Sequence, residues 1–282
     1  MWRLLSLSLA LTIVGQAFSP ALDDWRKEIE AAGATVNFVN IVTDPVRNEM
    51  RIEGEVRDRA LLVSYLANER FRGELVNAHA LTISQNAGGR SIHFIVFNMA
   101  REAEWRKHEE GLVAHELGHV WLQVRGFAGV PYVSGKAESC LAIHVNDVVQ
   151  HVIIRAEMAR RGIDGIDYWL SKLLPLISDL ESGAAAPVLP PCRQAALLSH
   201  WLDARLGTAA EDWDKMKPVE QQFSRLYPLL AAAASEVESE VRRMNPASLE
   251  GYEQSLRFVR DRFNRMYDLL AAPKNGPSQS PL

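Results

Sequence analysis

The chain has little excess charge, few cysteines and almost no long apolar run. Among its 282 residues, 31 basic side chains face 35 acidic ones, leaving a formal net charge of -4 and a pI near 6.1. That balance gives no basic footprint for a nucleic-acid partner. After the first fifteen residues no segment is long and apolar enough to span a membrane. There is no internal repeat, and no linker long or polar enough to force two independent domains. Only Cys140 and Cys192 are present. Two readings of them stay open: a disulfide in an exported protein, or Cys140 as a small buried residue of a helix.

What is present begins with the composition of a globular protein. Apolar residues make up 48% and charged residues 23%, and the length suffices for a sizeable core. Met1-Trp2-Arg3 followed by the uncharged run Leu4–Gly15 reads as an export signal over residues 1–21. Small residues allow cleavage after Ala17, Ser19 or Ala21. The other reading of this stretch is an uncleaved anchor. No cysteine near the junction speaks for a lipoprotein. The expectation is a secreted or periplasmic protein.

Residues 22–32 read as a helix capped by Asp23 or Asp24 and stopped by Gly33. Thr35–Val42 and Met50–Val56 are β-branched and alternating, hence strands, with an Asp44-Pro45 turn between them. A helix is expected over 57–71. Leu75–Ile83 and Ser91–Asn98 read as a strand pair turning at 85–89. A strand at the edge of such a sheet can hold an extended peptide through main-chain hydrogen bonds. A helix over 102–125 follows, ended by Gly126, and a second over 136–161, closed by Gly162. The rest reads as helices at 164–182, 192–206, 211–236 and 247–271, then a disordered tail at 273–282. The expected fold class is α+β: an α/β part over 22–100 and a helical part over 101–272.

The chemistry concentrates in His115-Glu116-Leu117-Gly118-His119. Histidines four apart on a helix differ by about 40° in direction, so both imidazoles leave one face. That spacing suits the first two nitrogen ligands of a zinc ion. Glu116 is close enough to take a proton from a water on the metal. Leu112, Val113, Val120 and Leu122 flank the motif, as befits a helix crossing a core. A catalytic zinc site needs a third protein ligand and an open position.

Six residues after His119 stands Arg125, which excludes a third histidine there. Eighteen residues separate His119 from Glu138, in the first turn of the next expected helix. A helix, a reversing loop and an antiparallel helix would return that carboxylate beside the histidines. On the same helix His144, Asp147 and His151 share another face. Asp147 or His151 is therefore the alternative third ligand, or else a residue orienting a ligand or stabilising the transition state.

The pattern His-Glu-x-x-His-x18-Glu resembles the gluzincin zinc metallopeptidases. The resemblance covers His115–Glu138 well, Ile92–Phe97 loosely and the helical C-terminal half not at all. It implies a zincin-like fold, one zinc ion held by His115, His119 and Glu138, and Glu116 as general base in peptide-bond hydrolysis. The substrate would be a peptide or protein. The Gly-x-Met-Glu-Asn segment of the aminopeptidases and the Asn-Glu-x-x-x-Asp motif of thermolysin-like enzymes are both missing, which points to a separate branch. Such enzymes usually stabilise the oxyanion with a Tyr or His; His151, Tyr132 and Tyr168 are the candidates. Two other classes stay in view: a non-catalytic zinc-stabilised helical binding domain, and a zinc hydrolase acting on a non-peptide substrate.

Overall fold

Alternation in the first third of the chain builds a sheet, and the helical bundle follows it in the sequence. In the computed structural model, described for residues 18–44, 49–87, 89–129, 136–171, 173, 191–208 and 210–271, strand β1 (Ala34–Asp44) follows helix α1 (Pro20–Ala31). The Ser19 hydroxyl accepts from the Leu22 N–H at the start of α1, and Gly33 closes its end with φ +91°. Strand β2 (Glu49–Glu53) pairs antiparallel with β1. Helices α2 (Arg59–Leu66) and α3 (Glu69–Asn77) then lead to the hairpin β3 (Ala80–Ala87) and β4 (Arg90–Asn98).

The sheet order is β2-β1-β4-β3, with β1 and β4 parallel and the other pairs antiparallel. β4 is central and buried from Ile92 to Asn98, as a strand covered on both faces should be. One face carries Val39, Ile41, Ile52, Ile83, Phe94 and Val96 against Leu62 and Leu75 of the paired helices. The other face carries Phe38, Phe97 and Thr82.

Helix α4 (Glu102–Trp105) and helix α5 (Glu109–Val124) follow β4. α5 packs against α1 and the hairpin. Trp121 donates its indole N–H to Glu28 of α1 at 3.1 Å, and its ring lies edge-on to Trp25 at 6.3 Å. The sheet and α5 thus belong to one compact unit reaching to Val124; a second starts at Arg125.

The second unit is helical. It comprises α6 (Lys136–Arg160), a helical stretch at 166–171, α7 (Pro191–Gly207), α8 (Trp213–Leu226), α9 (Pro228–Met244) and α10 (Leu249–Ala271). α6 packs against α7 and α10. Val145, Val148, Val149, Leu198, Trp201, Val237 and Phe263 are buried there. Arg205 ties α7 to α8 and α9 through Glu220 and Glu238. The fold class is α+β, mostly helical with a small mixed sheet. Among the described residues no helix is long and apolar enough to cross a membrane.

The structure corrects several expected boundaries. The 57–71 helix is two helices, broken at Ala67-Asn68, where the Asn68 side chain accepts from the Phe71 N–H and starts a new turn. Residues 75–77 are helical, not extended: Phe71 and Leu75 are four apart and fill one helical face. The hairpin strands continue through Gln85–Ala87. The 102–125 helix tightens to a 3-10 turn at Arg106–His108, next to Trp105, whose indole N–H reaches back to the Asn98 carbonyl at 3.1 Å. The 211–236 helix breaks at Tyr227 (φ -132°, ψ 61°), because the residue before Pro228 is barred from continuing a helix. Residues 1–17 of the expected export signal, the 130–135 loop with Tyr132, residues 174–182 of the expected 164–182 helix and the tail lie outside the described residues. So do the side chains of Glu138, Cys140 and Cys192. Pro20 and Ala21, expected to close the signal, open α1, whose N-cap is Ser19 rather than Asp23 or Asp24.

Candidate metal centre and its supporting residues

Helix α5 places the first unit's chemistry. Its residues from Gly111 to Gly118 are all buried, so His115 and Glu116 are embedded in apolar packing rather than laid on a wet surface. The spacing expected to converge the histidines does so. His115 Nε2 and His119 Nε2 stand 3.2 Å apart, with ring planes at 90°. At that distance two neutral imidazoles share one hydrogen bond. Two ligands of a tetrahedral ion, each 2.0–2.1 Å from it, also stand about 3.3–3.4 Å apart. The pair therefore fits a zinc ion with little movement. His115 is 6% exposed, while His119 is only half-buried, which leaves an approach for solvent.

Glu116 is 6% exposed. One carboxylate oxygen, Oε1, lies 4.0 Å from His115 Nε2. The other, Oε2, accepts the Thr82 hydroxyl at 2.7 Å. Thr82 belongs to β3, the strand at one edge of the sheet, and is paired in register with Ile95. Nothing in the sequence marks this threonine; a lone hydroxyl on an edge strand carries no signal until the helix that covers it is known.

On the same face of the hairpin lies His93, also passed over by the sequence reading. Its two ring nitrogens are each 2.8 Å from a hydroxyl, Ser84 Oγ at Nδ1 and Ser91 Oγ at Nε2. Burial lowers its pKa to about 4, so the ring is neutral at physiological pH.

In the second unit the structure brings the expected polar face of α6 against α7. His151 Nδ1 is 3.1 Å from Asp203 Oδ2, and the same oxygen is 3.0 Å from Arg155 Nη2. The Arg155 guanidinium stacks on the Trp169 ring at 4.3 Å. His151, Arg155 and Asp203 are all buried. Asp147 is more exposed, its Oδ1 3.9 Å from His151 Nε2. His144 is held neutral by burial, with its pKa lowered to about 4, and its ring faces His200 at 6.5 Å. Tyr168 is buried beside Trp169.

Asp203 was absent from the sequence-based candidates. The available signal was the unusual polarity of His144–His151, which called for a polar partner face such as Ser199, His200 and Asp203. Of the expected site residues, then, His115, Glu116 and His119 are adjacent in the first unit. Asp147 and His151 are adjacent in the second. Glu138 has its backbone in the first turn of α6. No family model, no curated protein and no solved structure matches this chain.

Proposed function

We propose that the chain is an exported zinc-dependent peptidase of zincin-like fold. The observation that carries this reading is the convergence of His115 Nε2 and His119 Nε2 to 3.2 Å with the buried Glu116 carboxylate alongside. A structural zinc site needs the two imidazoles but has no use for that glutamate.

The gluzincin resemblance supplies Glu138 as the third ligand, with Asp147 or His151 as the alternative. At this site a zinc ion held by His115 and His119 would supply Lewis-acid chemistry, a water of near-neutral pKa and a polarised substrate carbonyl. Glu116 takes a proton from the attacking water through Oε1 and passes it to the leaving amine nitrogen. Edge strand β3 offers main-chain groups to an extended peptide.

The test is metal analysis of the purified full chain, with cleavage of a quenched fluorescent peptide library before and after chelation. One zinc per chain and chelator-sensitive cleavage, restored by added zinc, support the reading. A chain without stoichiometric zinc sinks it. Glu138→Gln should lose zinc while His151→Ala keeps it; the reverse result moves the third position to His151.

A further inference from the structure

We infer that Thr82 is a positioning residue for the general base, an inference that rests on the peptidase reading above. Its hydroxyl carries one proton and has two acceptors in reach on the same residue. These are Glu116 Oε2 at 2.7 Å and the Glu116 carbonyl at 3.2 Å. The shorter contact is the charge-assisted one, so the proton goes to Oε2.

The consequence is an asymmetric carboxylate. Oε2 is anchored to the sheet, and Oε1 is the oxygen left facing His115 Nε2 at 4.0 Å. A glutamate side chain has three torsions. Here the first two are confined by burial and the last, the carboxylate rotation, is fixed by Thr82. The anchor is rigid because β3 is laddered to β4 through the Thr82–Ile95 pair. A sheet residue 34 positions earlier in the chain thus sets where a helix residue presents its basic oxygen. Misplacement of such a group by an ångström is enough to cost about a hundredfold in rate.

Two substitutions separate the hydroxyl from the methyl of Thr82. Thr82→Val keeps the shape and removes the donor; Thr82→Ser keeps the donor and removes the methyl. The assay uses the zinc-loaded full chain and the best-cleaved peptide of the library. Thr82→Val should lower kcat about tenfold to a hundredfold with KM unchanged within twofold. Zinc stoichiometry and zinc dissociation constant should stay at the wild-type values. Thr82→Ser should recover most of kcat. Placed on Glu116→Gln, Thr82→Val should cause no further loss, since the base it positions is gone. Should Thr82→Val not fold, Thr82→Ala with the same serine comparison reads the same effect.

Wild-type kcat in the valine variant, or a serine variant as poor as valine, overturns the role of Thr82 and leaves the peptidase reading standing. A wild-type chain that takes no zinc or cleaves no peptide overturns both.

Discussion

Glu116→Gln is the sharpest perturbation of the centre, because the structure says what it leaves intact. The amide oxygen can take the place of Oε2 and accept the Thr82 hydroxyl, now 2.7 Å away. The amide nitrogen then stands where Oε1 stood, 4.0 Å from His115 Nε2. Volume is unchanged at a residue 6% exposed, so neither a cavity nor an unpaired charge is created. The helix, both imidazoles and the zinc affinity should survive, and the melting temperature should move by no more than about 2 °C. What is lost is an atom able to take a proton. General-base catalysis contributes about 10²–10⁴-fold, or about 3–5 kcal/mol of barrier. The expected outcome is full zinc occupancy with kcat reduced by that factor. The measurement pairs elemental analysis with peptide cleavage on one preparation. Cleavage within threefold of wild type by a zinc-loaded Glu116→Gln chain would refute the assignment of the base.

Two further predictions concern stability. His93 has its folded-state pKa lowered from 6.5 to about 4 by burial. At pH values between those two figures the unfolded chain binds more protons than the folded one, so stability is full above about pH 6.5 and falls as the pH drops toward 4. The loss amounts to about 2 kcal/mol at pH 5 relative to pH 8; urea denaturation at the two pH values should show it, His144 adding to it with the same sign. A His93→Gln variant that kept the whole slope would remove His93 as its source. Asp203→Ala should destabilise the helical unit by about 3–5 kcal/mol, because it strands the buried Arg155 guanidinium 4.3 Å above Trp169. A shift in the urea midpoint worth under 1 kcal/mol would mean that Arg155 finds another partner.

The predictions fall unevenly on local and long-range contacts, and so does what could be read in advance. The convergence of His115 and His119 follows from helical periodicity alone, since residues four apart share a face whatever the helix packs against. The strands β1 and β4 follow from runs of β-branched and aromatic residues. Gly126 and Gly162 end their helices at φ +84° and +73°, which only glycine adopts without strain. Errors gathered at breaks, where a short side chain decides. Asn68 starts a new helix on a stretch that reads as one, and the alternating Leu75–Ile83 run conceals a helical pair, Phe71 and Leu75.

The motif, the α+β class and most helices were therefore determined by the sequence itself, through interactions between residues a few positions apart. The tertiary structure alone decided the parallel pairing of β1 with β4, the seating of Glu116 on Thr82, the burial of His93 between two serines and the clasp of Asp203 on His151. Apart from the Ser91–His93 contact, two residues apart on one face of β4, each joins residues from different elements. No periodicity records such a meeting, because it exists only once the sheet and the helices have packed.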